Sequence, residues 1–200
     1  KTPRFLQFLK RRKMNMNVKK SVDVAIIGGG IGGLMTAYRL LDKEDDCIYM
    51  EGTSAGVYDP NNMRISFTPI SAGTAEIEFK VKITSYIATN SYFDFGAVYD
   101  QNGNAVAKIA GGERNISVYD GVRRAQVLTN DTKSWHNVKY IINFETRKYS
   151  VVFDGVTYGE YNFCSEKATG AASIYFAGSN TSIPATNSMN WYMNYLTVKN

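Results

Sequence analysis

The sequence predicts a mainly β protein: an antiparallel β-sandwich, preceded by a short β-α-β segment and a basic tail. Three observations support this prediction. Residues 53–200 alternate apolar and polar side chains with a period of two, as strands with one solvent-exposed face do. Turn signals separate these strands at intervals of roughly eight to twelve residues. A glycine-rich motif at residues 28–33 follows a short apolar stretch and opens the single clear helical pattern of the first 52 residues.

Residues 1–20 form the basic tail. Eight of the 23 basic residues precede the first acidic residue, Asp23, which leaves 15 basic against 18 acidic residues in the rest of the chain. The net charge of +5 therefore arises in the tail, and the remainder lacks the charge of a nucleic-acid-binding protein. We expect the tail to be frayed or locally packed, with contact to an anionic surface as the alternative. No apolar run approaches the roughly 20 residues needed to span a bilayer.

Residues 21–52 have the pattern of one dinucleotide-binding β-α-β unit. An apolar strand at residues 22–27 leads into Gly28, Gly30 and Gly33, which match G-x-G-x-x-G, and Glu51 closes a second strand. Such glycines allow a tight turn and a close approach of the backbone to a pyrophosphate at a helix N-terminus. The acid is placed to accept a hydrogen bond from a ribose hydroxyl.

The run VAIIGGGIGGLMTAYRL at residues 24–40 resembles the N-terminus of flavin-dependent amine oxidases and related FAD oxidoreductases. The resemblance implies FAD binding through Gly28, Gly30, Gly33 and Glu51. It stops after Glu51, where the further strands and helices of a cofactor domain do not follow. A single β-α-β unit leaves both faces of its strands uncovered, whereas parallel sheets are normally covered on both sides. We therefore expect no bound cofactor, with FAD at residues 28–51 as the alternative.

Residues 53–200 are expected to form the sandwich. Along residues 74–84 the apolar positions should face a core and the charged ones solvent, and residues 138–144 repeat the pattern. The predicted core positions are Ala75, Ile77, Phe79, Val81, Ile83, Val138, Tyr140, Ile142 and Phe144. The predicted solvent positions are Glu76, Glu78, Lys80 and Lys82. Hairpin turns are predicted at Asn102-Gly103, Asp120-Gly121 and Asp154-Gly155.

Five segments of this region resemble the concanavalin-A-like lectin/glucanase jelly roll. They are FKVKI at 79–83, FGAVYD at 95–100, WHNVKYIIN at 135–143, YSVVFDG at 149–155 and WYMNYLTV at 191–198. The resemblance covers nearly all of residues 57–199 and rests on core and turn patterns. That superfamily includes sugar-binding modules, glycoside hydrolases, polysaccharide lyases and viral or adhesin spacers.

Glycan binding needs exposed aromatic faces beside hydrogen-bonding groups, and Tyr92, Asp94 and Arg124 are the predicted sugar-binding residues. Hydrolases of the superfamily carry a carboxylate cluster on one strand. Here Glu76 and Glu78 lie beside lysines, which is more typical of a solvated, charge-balanced sheet face than of an acid and base pair.

Other candidate residues have simpler structural explanations. Trp135 and Trp191 are expected in the core. The segment at 100–104, DQNGN, has alternating oxygen ligands but no closing acid, so a hairpin explains it better than a calcium loop. A Ser-His-Asp triad would depend on the single histidine, His136, and the two cysteines lack metal-ligand spacing. No metal site and no catalytic residue is therefore predicted.

The function predicted from the sequence is a non-catalytic glycan-binding or structural assembly module. Its expected partners are a glycan or other protein subunits, including further copies of the same chain. One alternative is a fragment of an FAD-dependent oxidoreductase. The other is a virion or surface-fibre protein, in which the sandwich packs laterally and the basic tail contacts an anionic partner.

Overall fold

The computed structural model describes residues 48–53, 62–85, 92–112, 114–179 and 188–200, which form strands joined by turns and loops. No helix occurs within these residues, and none there could cross a membrane. The strands are β1 (Ile48–Thr53), β2 (Asn62–Ile70), β3 (Thr74–Ser85), β4 (Tyr92–Tyr99), β5 (Ala105–Gly111), β6 (Ile116–Asp120), β7 (Arg123–Thr129), β8 (His136–Asn143), β9 (Lys148–Phe153), β10 (Val156–Asn162), β11 (Ala171–Ser179) and β12 (Ser188–Lys199).

The strands form two six-stranded sheets, each with one face on a shared core and one outer face. Sheet A has the order β1-β12-β3-β8-β9-β10, and sheet B has the order β2-β11-β4-β5-β6-β7. Neighbouring strands pair antiparallel throughout both sheets. The mainly β, antiparallel architecture predicted from the sequence is confirmed.

The core follows the period-two pattern of β3 and β8. Every second residue of β3 from Ala75 to Ile83 is fully buried, and Tyr140 and Ile142 on β8 are buried with them. The Phe79 ring packs against Phe176 of sheet B at a centroid distance of 5.4 Å, in an edge-to-face arrangement. Phe144 departs from the prediction, because it lies one residue past the end of β8 and is half-buried at the margin of the core.

The predicted hairpins occur, although the turn predicted at Asp120-Gly121 lies one residue later, at Gly121-Val122, because Asp120 still pairs with Arg123. Asp154 and Gly155 both have positive φ, 48° and 84°, as a type I′ turn between β9 and β10 requires. Gly121 follows β6 with φ 57°, and Gly103 lies between β4 and β5 with φ 81°. Glycine adopts this region without the steric cost that a Cβ brings.

Strand β1 is the part of the predicted N-terminal unit that the structure describes. It pairs antiparallel with β12, and no second neighbour of β1 occurs among the described residues. The first strand and the helix of the predicted β-α-β unit lie outside those residues, so that unit is not confirmed. The basic tail, the helical pattern, Gly28, Gly30 and Gly33 lie outside the described residues.

Phe79→Ala tests the inter-sheet core. Phe79 is fully buried against Tyr140 and Phe176, so its truncation should lower the free energy of unfolding by about 3–5 kcal/mol. Val122→Ala is the matched control, because Val122 is 83% exposed and should change stability by no more than about 0.5 kcal/mol. Urea unfolding measures both. Equal costs for the two variants would show that Phe79 does not lie in the core.

Candidate functional site

A patch of polar and aromatic side chains lies on the outer face of sheet B, across strands β2, β11, β4, β5 and β6. Its members are Arg64, Asp94, Tyr99, Lys108, Tyr119, Ser173 and Tyr175, called here the sheet B site. In the strand register, Ala97 lies between Tyr175 on one side and Lys108 on the other, and Asp94 pairs with Ala110. Alanines at these central positions keep the middle of the face low, because their side chains do not rise above the sheet.

Asp94 and Lys108 form an ion pair at the centre of this face. The Lys108 Nζ lies 2.8 Å from the Asp94 Oδ1, and the Asp94 residue is only 8% exposed. Burial acts to lower the pKa of Lys108, but attraction to Asp94 outweighs it and raises the pKa above its ordinary value. The same ammonium group lies 5.4 Å from the centroid of the Tyr119 ring. Lys108 is therefore positively charged at neutral pH, and its ion pair with Asp94 fixes its position.

Tyr99 and Tyr175 stand beside this pair on neighbouring strands. Their rings meet edge to face at a centroid distance of 5.8 Å. Burial is the main cause that raises the pKa of each tyrosine, and the negative charge of Asp94 raises both further. A cation opposes the rise in both cases, because Lys108 lowers the pKa of Tyr99 and Arg64 lowers the pKa of Tyr175. Both hydroxyls are therefore protonated at neutral pH.

Arginines lie at both sides of the patch. Arg64 is exposed on β2 and donates from Nε to the Ser173 Oγ at 3.0 Å. On the far side, Arg124 on β7 donates from Nη1 to the Asn115 Oδ1 at 3.5 Å. The guanidinium groups can therefore contact an anionic ligand that extends across sheet B.

The sequence located this face only in part. Asp94 lies at its centre, and Arg124 lies at its edge, exposed on β7. Tyr92 lies on β4, two residues before Asp94, but its side chain is outside the described ones. The prediction missed Tyr99, Lys108, Tyr119, Tyr175 and Arg64. The assignment of Tyr92, Asp94 and Arg124 to sugar binding remains a prediction.

A β-bulge at Gly96 explains why Tyr99 was missed. A strict period of two from Asp94 would turn Val98 outward and Tyr99 inward. The register with β5 shifts between Asp94 and Ala97, so Val98 is fully buried and Tyr99 reaches the outer face. A bulge alters the alternation of every later side chain in its strand, and the isolated glycine at position 96 is the sequence signal that could have indicated it.

The bulge is held by residues of sheet A. Gly96 has φ 99°, and a Cβ there would lie 2.5 Å from the Phe79 Cζ. The Tyr140 hydroxyl donates a hydrogen bond across the core to the Gly96 carbonyl. The Tyr149 hydroxyl similarly donates to the Tyr119 carbonyl. Buried side chains of one sheet therefore fix the backbone that carries the site on the other.

The remaining candidates from the sequence have structural roles. On the outer face of sheet A, Glu76 pairs with Lys139 at 2.8 Å, and Glu78 accepts a hydrogen bond from the Tyr195 hydroxyl at 2.9 Å. These contacts fit the predicted charge-balanced face. Glu51 lies on β1 opposite Asn190, and its side chain is outside the described ones.

His136 and Asp100 are both buried and fully engaged. The His136 ring lies 2.6 Å from the Asp154 Oδ2 and 2.9 Å from the Asp131 carbonyl oxygen, away from the sheet B site. Asp100 accepts hydrogen bonds from Asn102, Asn104 and Thr169. Burial acts to raise the pKa of Asp100, but these donors lower it below its ordinary value. The hairpin prediction is confirmed, and no metal-ligand cluster occurs among the described residues.

Trp135 differs from the core position predicted for it. It lies half-exposed on the outer face of sheet A, where its ring contacts Tyr192 at a centroid distance of 6.5 Å. The residue after it, His136, takes the inward position of β8, so the alternation turns Trp135 outward. The Trp191 side chain is outside the described ones.

Comparison with known proteins identifies the fold through structure alone. No family model and no curated protein matches the chain. A sialidase matches with a TM-score of 0.60 and 12% identity over 78% of this chain, which spans only 16% of the sialidase. The alginate lyase AlgAT5 of polysaccharide lyase family 7 matches with a TM-score of 0.59 and 16% identity, covering 77% of this chain and 78% of the lyase. Alginate lyase A1-II′ of the same family gives 0.54 and 11%, with coverages of 76% and 79%.

These matches confirm a jelly-roll-like β-sandwich and the resemblance of residues 53–200 to concanavalin-like domains. They give no support to the flavin oxidoreductase resemblance. They also contradict the functional prediction of a non-catalytic glycan-binding or assembly module, because many of the matching structures are lyases, which are catalysts that process glycans. The fold alone is shared at this level of identity, so activity has to be argued from the residues of this chain.

Gly96→Ala tests the bulge. The substitution combines a positive φ with a clash against the Phe79 ring, so it should destabilise the protein by about 1–3 kcal/mol beyond its control. The control is Gly103→Ala, which has a similar positive φ of 81° but nothing within 4 Å of the added Cβ. Urea unfolding compares the two. Similar losses of stability in both variants would contradict a tight bulge packed on Phe79.

Proposed function

We propose that this chain is an enzyme that cleaves an anionic, uronate-containing polysaccharide by β-elimination at the sheet B site. The observation that carries the proposal is the cluster of two tyrosines around the Asp94–Lys108 ion pair, with an exposed arginine beside it. The fold supports the proposal, because alginate lyases share it and AlgAT5 is covered over most of its length. One structure that shares this fold, a variant of alginate lyase A1-II′, contains its substrate GGMG.

Elimination from a uronate requires three groups. A base removes the proton from the carbon next to the carboxylate, and a cation stabilises the negative charge that develops on that carboxylate. The bond from the adjacent carbon to the glycosidic oxygen then breaks, and its electron pair leaves with that oxygen, which takes a proton from an acid. The electron pair from the C–H bond forms a carbon–carbon double bond conjugated with the carboxylate.

We assign the cationic role to Arg64. Its side chain is exposed, and a guanidinium group can bind a carboxylate through two hydrogen bonds. Lys108 already neutralises Asp94, so it supplies a fixed dipole rather than a free cation. Arg124 is proposed to contact the glycan at the edge of the site. Asp94 is proposed to contribute to glycan binding by orienting Lys108.

We assign the proton transfers to the two tyrosines. Tyr99 is the proposed acid, because burial and the charges of Asp94 and Tyr175 keep its hydroxyl protonated. Tyr175 is the proposed base, because it pairs with Arg64 across the strand register and that cation favours its ionised form. Two titratable groups with different environments are a common basis for an acid and base assignment.

The proposal predicts lyase activity that depends on both tyrosines. Incubation with polyuronates should produce ultraviolet absorbance from the new conjugated double bond. Tyr99→Phe and Tyr175→Phe should each lower kcat/KM by about 100-fold or more, as loss of a general acid or base does. Tyr195→Phe is the control, because this tyrosine lies on the outer face of sheet A and should retain full activity.

The pH profile provides a second readout of the same experiment. The Tyr175 base accepts a proton only after it has ionised, and its pKa lies above the ordinary tyrosine value. We therefore expect kcat/KM to rise with pH through the alkaline range. A folded protein whose activity survives both tyrosine substitutions, or chain cleavage without a new ultraviolet absorbance, would contradict elimination at this site.

A further inference from the structure

A second patch lies on the outer face of sheet A, and nothing in the sheet B site accounts for it. Lys82 of β3 opposes Tyr192 of β12, and its Nζ lies 5.0 Å from both the Tyr192 and the Trp135 ring centroids. Lys80 lies on the same face, with its Nζ 5.5 Å from the Trp135 centroid. We call Lys80, Lys82, Trp135 and Tyr192 the lysine–aromatic patch.

Among the described side chains, the lysines of this patch lie against aromatic rings and not against carboxylates. The acidic residues of the same strand, Glu76 and Glu78, contact Lys139 and Tyr195 at the other end of the face. Within the part of the chain that the structure describes, Lys80 and Lys82 contact ring faces and form no ion pair with a carboxylate. Among the described side chains of this face, the charges are therefore paired at the Glu76 end, whereas Lys80 and Lys82 lie against aromatic rings at the other end.

The two ammonium groups are held in place before any ligand binds. Each lies over an aromatic ring, which is a favourable position for a cation and limits the motion of a long side chain. Positions two apart on a strand are separated by roughly 7 Å along its axis. A polymer with negative groups on successive units can therefore meet both lysines, and holding them in advance lowers the entropic cost of binding. The half-exposed rings of Trp135 and Tyr192 add an apolar surface beside the charges.

We infer that the lysine–aromatic patch is an auxiliary binding site for an anionic polysaccharide, separate from the sheet B site. The identity of the polymer rests on the proposed function, whereas the charge and ring geometry of the patch do not. The two sites lie on opposite outer faces of the sandwich, so the patch would hold a long chain without contacting the reacting unit. Binding at two points raises the effective concentration of the polymer at the enzyme.

The test measures binding without turnover. In a Tyr99→Phe background, the double variant Lys80→Gln/Lys82→Gln should bind a long polyuronate about fivefold to tenfold more weakly in calorimetry, as loss of two exposed ionic contacts would cause. Lys133→Gln/Lys148→Gln is the matched control, with the same charge change at lysines outside the patch. It should retain the affinity of its parent.

Fluorescence provides an independent readout, because the chain has two tryptophans and Trp135 lies in the patch. A polyuronate should change the emission, and Trp135→Phe should remove that change. Without the Tyr99 substitution, the Lys80/Lys82 variant should show unchanged kcat/KM on short oligosaccharides and lower activity on long chains.

The outcomes separate this inference from the proposed function. Polymer binding that depends on Lys80 and Lys82 in a protein without lyase activity would support the patch and contradict the elimination chemistry. Equal loss of binding in the control double variant, or no loss in either, would overturn the patch. Equal affinity for a single-stranded DNA of matched charge would also overturn it, because the patch would then bind polyanions generally.

Discussion

The conformation of Gly96 determines which side chains of β4 reach the outer face of sheet B. Gly96, with its positive φ, is one extra residue in the strand relative to its neighbours. Asp94 before this bulge and Tyr99 after it therefore share a face. If Gly96 took a regular place in the alternation, Tyr99 would point into the core and Val98 would occupy its place on the outer face. The sheet B site, and therefore the proposed chemistry, depends on this single irregularity.

The bulge is stable because the core of the other sheet is built around it. The Phe79 ring fills the space that a Cβ at residue 96 would need, and the Tyr140 hydroxyl satisfies the Gly96 carbonyl. A buried carbonyl without a partner would cost on the order of 1–3 kcal/mol. The same logic applies at Tyr149, which donates to the carbonyl of Tyr119 beside Lys108. Packing and hydrogen bonding in the core thus position polar groups on the surface.

The predictable part of the structure is the part that local pattern controls. The alternation of β3 and β8 identified Phe79, Tyr140 and their neighbours as core, because a period of two leaves one assignment of faces. Asp154-Gly155 identified its hairpin, because few residues tolerate two successive positive φ angles. Trp135 was misplaced, since hydrophobicity suggested burial while its strand position turned it outward.

The candidate site was harder to predict, because its residues come from strands that are distant in sequence. Lys108 and Tyr175 have no local feature that distinguishes them from other surface residues, and only the register brings them beside Asp94. The glycine motif illustrates the opposite problem. It is strong locally, but the known structures that share the fold give the flavin resemblance no support. A short motif predicts a function only when the surrounding topology completes it.

Thiol labelling along β4 tests directly whether a bulge at Gly96 turns Tyr99 outward and Val98 inward. Val98→Cys and Tyr99→Cys would be made separately with Cys47 replaced by alanine; the remaining Cys164 is buried, with its pKa raised by burial to about 11, and should react slowly. In the native protein we expect rapid labelling of the cysteine at position 99 and protection of the cysteine at position 98. Both cysteines should react after unfolding in urea. Rapid labelling at 98 and protection at 99 would show that β4 has no bulge at Gly96, and the sheet B site would not exist.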